Sequence, residues 1–261
     1  MPMTHLVKQE GKFSYIETGK KDAEVLLLLH GLMGGLSNFG AVIDHFSDTY
    51  NVVMPTLPIY EMPVLSVSLD GLLSYVEDFI NFKGYDRVHL IGNSLGGHIA
   101  LLYILKNPNR VASMTLTGSS GLYESAMGNT YPKRGDYEFI KRKTQDTFYS
   151  PDSASQELID DIFNTVNDRG KALRIVMVSK SAIRHYLGDE LDQIKAPTLL
   201  IWGKNDIVTP PEVGEKFHEL ISHSKLVWVD ECGHAPMMEH PQQFNAILEE
   251  FLNEVVAEKV A

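Results

Sequence analysis

Three residue types set far apart in this sequence could together carry out nucleophilic acyl transfer: a serine, a histidine and an aspartate. Ser94 stands in Gly92-Asn93-Ser94-Leu95-Gly96, between an apolar run that reads as a buried strand and a second run long enough to be a helix. A serine at the tip of a sharp strand-to-helix turn holds its hydroxyl clear of the backbone. Such a turn tolerates only very small neighbours, which Gly92 and Gly96 supply. A helix starting at Leu95 aims its unpaired N–H groups and positive dipole end at the place where an oxyanion would form. His234, in the loop Cys232-Gly233-His234-Ala235-Pro236, has the chemistry of a general base. Asp206, just past the strand ending in Trp202-Gly203, would accept from the imidazole Nδ1–H, fixing its tautomer and stabilising the imidazolium.

Each of these residues needs an element to hold it, and the sequence supplies several. Val25 to Leu29 reads as a central strand running into the small-residue turn His30-Gly31-Leu32-Met33-Gly34-Gly35. Lys12 to Thr18 alternates weakly and reads as an early edge strand. Phe39, Val42, Ile43 and Phe46 recur at helical spacing, so residues 37–46 should pack on the sheet. Asn51 to Met54 and Val111 to Thr117 read as further strands. Between them, Ser66 or Ser68 can cap a helix that buries Leu69, Leu72, Leu73, Val76 and Ile80. The exit Gly118-Ser119-Ser120-Gly121 reads as a plain turn, because no apolar helix follows it at once. Pro210-Pro211 opens a helix through Phe217 and Leu220, and another begins near Pro241.

The order Ser94, Asp206, His234, with the His-Gly loop ahead of the nucleophile, resembles the α/β-hydrolase superfamily over nearly the whole chain, from about Val25 to the terminal helix. The resemblance implies an α/β fold: an eight-stranded, mostly parallel sheet flanked by helices, with a helical cap inserted after the sixth strand. Residues 1–121 and 191–261 would form the core and residues 122–190 the cap. It also implies that the backbone N–H of Leu32 is an oxyanion donor beside that of Leu95. Some hydrolases place the triad acid after the sixth strand; no carboxylate stands there before Glu124, which leaves Asp206. Many members carry an Asp-rich, Gly-rich loop where this chain has Pro55-Thr56-Leu57-Pro58-Ile59-Tyr60-Glu61-Met62-Pro63, stiffened by prolines.

Within the expected cap, Lys133, Arg134, Lys141, Arg142 and Lys143 read as a solvated face. Ser153 and Gln156 have capping-box spacing ahead of the apolar face Leu158, Ile159, Ile162, Phe163 and Val166. Lys171 to Tyr186 reads as a second, more strongly apolar helix.

Composition narrows the function classes. The 261 residues, 44% apolar and 22% charged, suit one domain with an insertion. A net charge of −11 opposes nucleic acid and anionic membrane surfaces as partners. The single cysteine, Cys232, excludes an internal disulfide and multi-cysteine metal sites, and reads as a small filler. Residues 1–12 lack a signal-peptide core, and no apolar stretch approaches the ~20 residues that span a bilayer. The expectation is a cytoplasmic protein with no integral membrane association. His98 should pack inside, His30 belong to its turn, and His185, His223 and His240 face solvent. With no metal-binding spacing among them, no cofactor or metal is expected.

The reading that follows is a serine hydrolase that cleaves a small, partly apolar ester or thioester through an acyl-enzyme. Met33, Met62, Met127, Met177, Met237 and Met238 could line an adaptable pocket or fill the core. Serine at position 94 disfavours the carboxylate-nucleophile chemistry of dehalogenases and epoxide hydrolases. The Gly-Asn-Ser-x-Gly-Gly form is similar to hydrolases that split carbon–carbon bonds of ring-cleavage diketones, which is the alternative. The turn after His30 lacks their usual Ser-Gly-Pro, and Ala235 stands where they often carry tryptophan. A ligand-binding receptor that keeps the fold is a third possibility.

Overall fold

The computed structural model describes residues 5–123 and 134–260. Eight strands form one sheet: β1 (Val7–Glu10), β2 (Phe13–Gly19), β3 (Val25–Leu29), β4 (Asn51–Pro55), β5 (Val88–Asn93), β6 (Val111–Thr117), β7 (Thr198–Gly203) and β8 (Ser224–Val229). Their order is β1-β2-β4-β3-β5-β6-β7-β8. β2 runs antiparallel to both of its neighbours, and every pairing from β4 to β8 is parallel. The sheet is therefore mostly parallel, as expected. Strands β3 to β7 are buried at every residue, because a parallel sheet covered on both faces needs continuous apolar runs rather than alternation.

The helices are α1 (Leu36–Phe46), α2 (Leu69–Lys83), α3 (Leu95–Lys106), α4 (Tyr137–Gln145), α5 (Gln156–Asn167), α6 (Arg169–Arg184), α7 (Pro211–Leu220), α8 (Pro236–Glu239) and α9 (Pro241–Val260). The period-two geometry of a strand divides the core into two layers. Leu26 and Leu28 of β3 join Phe39, Ile43, Phe244 and Leu248 from α1 and α9. Leu27 and Leu29 join Leu72, Val76, Ile99 and Phe217 from α2, α3 and α7. Each such buried side chain contributes about 1.5–3 kcal/mol of transfer free energy. Ser68 caps α2 by accepting from the Gly71 N–H (3.1 Å), and Gly84 ends it in the left-handed region at φ 69°.

Helices α4, α5 and α6 lie between β6 and β7. Several local expectations change. Lys12 to Thr18 is not the sheet edge: β2 has a neighbour on each side, and the exposed, charged β1 forms the edge. The residue capping α5 is Ser155, which accepts from the Leu158 N–H (3.2 Å), whereas Ser153 closes a short 3₁₀ turn. α6, the helix expected over Lys171 to Tyr186, buries only Val178 and Ala182 and leaves Leu173 and Ile183 largely exposed, so its apolar residues do not form one covered face. Met127 and Lys133 lie outside the described residues. Among those described, no helix is long and apolar enough to cross a membrane.

Candidate active site

Connectivity creates the cleft. From β3 the chain crosses over one face of the sheet through α1 to β4, then returns over the other face through α2 to β5, which lies on the opposite side of β3. The loops leaving β3 and β5 therefore diverge at the carboxyl ends of the strands, where a crevice must open. The β3 loop carries Gly31 and Leu32. The β5 loop carries Ser94.

Ser94 has φ 54° and ψ −118°, a strained conformation for a residue with a side chain. Its surroundings leave it little alternative. Its N–H donates to the Thr117 carbonyl (3.1 Å), and its own carbonyl accepts from the N–H groups of His98 (3.1 Å) and Ser120 (3.2 Å) and from the Ser120 hydroxyl (3.3 Å). A Cβ on Gly96 would stand 2.0 Å from the Leu29 carbonyl oxygen, so glycine is what lets α3 begin against β3. That contact holds the amino end of α3, with the Leu95 N–H, beside the β3 turn.

The β3 turn is held from two sides. His30 is buried and neutral, with its pKa lowered by burial; its Nδ1 donates to the Gly31 carbonyl (2.8 Å), and its Nε2 accepts from the Leu57 N–H (2.9 Å). The proline-stiffened loop brings in Tyr60, whose hydroxyl donates to the Leu32 carbonyl (3.3 Å). Burial, and then Glu61, push Tyr60 up to about 12, so it stays a donor at neutral pH. The departure from the family loop thus serves the turn bearing the second expected oxyanion donor.

Asp206 and His234 meet across the ends of β7 and β8. His234 Nδ1 is 2.9 Å from Asp206 Oδ2. That oxygen also accepts from the Thr209 hydroxyl (2.8 Å), while Oδ1 accepts from the N–H groups of Val208 (2.8 Å) and Thr209 (3.0 Å). With the carboxylate an acceptor, the imidazole meets it through an Nδ1–H, which makes Nε2 the ring atom that would exchange a proton with a substrate-side group. Both residues are buried, Asp206 at 2% exposure and His234 at 7%.

Ser94, Leu95, Leu32 and His234 all border one cavity of about 600 Å³, roofed by residues of α4, α5 and α6. The structure therefore gathers the candidate nucleophile, base and oxyanion donors around one space, with Asp206 behind the base. Of the methionines, Met33 and Met238 line the cavity, Met62 and Met177 pack on the core, and Met237 is buried within it.

Other titratable groups divide as their environments dictate. His98 is fully buried, and burial, followed by its neighbour His185, pushes it down to about 3. His185 is half-buried, its ring tilted by 37° against that of His98 with 5.8 Å between centroids, and His240 Nε2 bonds the Glu231 carbonyl (3.0 Å). Burial, and then Glu239, raise the Cys232 thiol far above its ordinary value, which leaves it inert. Among the described residues, no three His, Cys, Asp or Glu side chains converge to hold a metal ion.

Sequence reasoning missed Thr209 beside Asp206, Ser120 on the Ser94 carbonyl, Thr147, whose carbonyl accepts from the His234 N–H (2.9 Å), and Glu239, which accepts from the Gly233 N–H (2.7 Å). An Asp three residues ahead of Thr-Pro is a turn signal that could have found Thr209. Ser120 was visible only as part of a turn, and nothing local marks the other two.

Comparison with known proteins supplies the family. The model of the alpha/beta hydrolase family matches residues 26–247. The chain belongs to that family. A 2-hydroxy-6-oxo-6-phenylhexa-2,4-dienoate hydrolase of Comamonas testosteroni is 28% identical, over 92% of this chain and 91% of its own. Among solved structures, MGS-MChE2, an alpha/beta hydrolase enzyme from the metagenome of lagoon sediments of Mar Chica, Morocco, is 44% identical with a TM-score of 0.79, covering 95% and 98% of the two chains. A membrane phospholipase A, described as a bacterial virulence factor, is 26% identical with a TM-score of 0.85, over 97% of this chain and 87% of that one. Hydrolysis is the activity class of the family.

Proposed function

We propose that this chain is a serine-type hydrolase in which Ser94 attacks a substrate carbonyl and His234, oriented by Asp206, moves the proton. The observation that carries this reading is the 2.9 Å contact between His234 and Asp206 on the wall of the cavity that Ser94 enters. In the proposed sequence, His234 Nε2 takes the Ser94 proton as Oγ bonds the carbonyl carbon. The tetrahedral oxyanion receives the N–H groups of Leu32 and Leu95. Collapse breaks the bond to the leaving group, which takes the proton from His234, and water then releases the acid by the same path. The insertion between β6 and β7, whose described part carries α4, α5 and α6, acts as the cap over the cavity.

For the bond broken, the likeness to the Comamonas testosteroni dienoate hydrolase favours carbon–carbon hydrolysis of a ring-cleavage-type diketone over the ester cleavage expected from sequence, whereas the likeness to the phospholipase A keeps the ester in play. Such a diketone is activated by a leaving carbon that can delocalise its electron pair into a neighbouring carbonyl. We take carbon–carbon hydrolysis as the first reading. One observation favours the second, an uncharged ester. A dienoate brings a carboxylate into the cavity, and burying it without a partner is costly. Among the described residues, the cation on the cavity wall is Lys143, which already pairs with Asp146 at 3.2 Å.

The test sets a phenyl-substituted ring-cleavage dienoate beside a neutral aryl ester of similar length, with Ser94→Ala as control. A higher kcat/KM on the dienoate supports the first reading and the reverse supports the second. Full turnover of either by Ser94→Ala removes Ser94 from the mechanism. Binding of both with no turnover, read as thermal stabilisation, would favour the receptor reading instead.

A further inference from the structure

The loop that carries His234 is tied to the insertion by bonds that the acyl-transfer scheme does not use. The His234 N–H donates to the Thr147 carbonyl (2.9 Å), just past the end of α4. One residue earlier, the Gly233 N–H donates to Glu239 Oε1 (2.7 Å), and the other oxygen of the same carboxylate accepts from the Tyr149 N–H (2.8 Å). Glu239 ends α8, so its carboxylate bridges the histidine loop and the first segment after α4. The two strips of backbone are also in close contact. A Cβ on Gly233 would come 2.6 Å from the Thr147 carbonyl oxygen and 2.9 Å from Phe148. Phe148 lines the cavity beside His234.

Where the N–H groups of two successive residues are held, the first by a carboxylate and the next by a carbonyl, the second peptide keeps little rotational freedom. The Gly233–His234 peptide is in that position. Its orientation sets where the imidazole leaves the chain, and the contact with Asp206 depends on that direction.

We propose that Glu239 is a positioning residue for His234: its carboxylate latches residues 147–149 of the insertion to the histidine loop, so that the insertion holds the base against Asp206 as well as roofing the cavity. The proposal rests on the reading of His234 as the base. Glutamate suits the task because each of its two oxygens can accept one of two separate N–H groups. Glutamine offers one acceptor oxygen and would turn an NH₂ group toward the other donor.

Three readouts separate positioning from plain support: kcat against KM, the low-field proton of the His234–Asp206 hydrogen bond by NMR, and the order of rescue. With a chromogenic aryl ester, Glu239→Ala should lower kcat about 10- to 100-fold, as expected for a reacting group displaced by about 1 Å, with KM unchanged. The low-field line should broaden or vanish, and Glu239→Gln should lie between alanine and the parent. If Glu239→Ala does not fold, Glu239→Gln carries the same test. A Gln variant with parental kcat and an intact low-field line overturns the latch, as does a folded Ala variant with those properties. Ser94→Ala and His234→Ala in the same assay distinguish the two failures. Turnover surviving those changes sinks the reading of the site, whereas turnover lost there but kept without Glu239 sinks the latch alone.

Discussion

The floor and the roof of the cavity are built by different means. Around Ser94 and Asp206, positions are set by main-chain hydrogen bonds and close backbone approach at the ends of the fully buried β5 and β7, and His234 follows the half-buried β8. The roof consists of amphipathic helices that turn a stripe inward, Ile175, Val178, Ser179 and Ala182 on α6, and leave the rest half-exposed. A group held by several backbone bonds keeps its position when a neighbour changes, which suits a reaction sensitive to misplacement. A stripe of aliphatic side chains contributes burial with little directional demand, which suits selection among related shapes. On the proposed reading, chemistry resides in the floor and preference in the roof, with residues 147–149 the point at which the roof also holds the histidine loop.

The comparison breaks most visibly if the floor proves dispensable. Ser94→Ala and His234→Ala should each reduce kcat by about 10⁴-fold or more, and Asp206→Asn by about 10⁴-fold, with little effect on KM. Steady-state kinetics on whichever carbonyl substrate turns over provides the check. A loss of less than tenfold in Ser94→Ala would mean that the floor does not carry the reaction.

A finer probe of the floor leaves every reacting side chain in place. Gly31→Ala puts a methyl group 3.2 Å from Asn93 Oδ1 and 3.3 Å from Ser94 Cβ, close enough that the turn must give by a few tenths of an ångström. Because the next residue is Leu32, that shift moves a proposed oxyanion N–H. Loss of one such donor costs about 10²- to 10³-fold in kcat. The variant should fold, since a small movement of one turn relieves the contact. Parental kcat in a folded Gly31→Ala would remove the Leu32 N–H from the mechanism.

The same contrast explains what the sequence made legible. Floor elements are continuous apolar runs ended by small or polar residues, so Val25–Leu29, Val88–Asn93 and Thr198–Gly203 announce both their strands and the residues just past them. The outer elements carry weaker local signals. β1 is polar because it is an exposed edge, and α4 buries only Ile140 and Thr144, so neither shows a clear apolar period. In α6 the apolar residues outnumber those buried, which made it read as more strongly covered than it is. Contacts that depend on tertiary closure, such as Thr209 on Asp206 or Tyr60 on Leu32, join residues whose sequence neighbourhoods say nothing of each other.

The smallest expected effect belongs to the roof and bears on the choice between charged and neutral substrates. Asp146 and Lys143 lie one helical turn apart at the end of α4, both partly solvent-exposed, with 3.2 Å between them. Exposed pairs of this kind contribute about 0.2–1 kcal/mol, so breaking the pair should leave stability nearly unchanged. Asp146→Asn removes the competing carboxylate and leaves Lys143 available to a substrate anion on the cavity wall. If the roof sets preference, kcat/KM for the dienoate should rise by about two- to fivefold, the factor that such a pair energy allows. The value for a neutral ester should stay the same. Raising the salt concentration should erode the gain, because an exposed charge contact is screened. An equal change on both substrates would show that the substitution acts through the floor, and would break the division between the two regions.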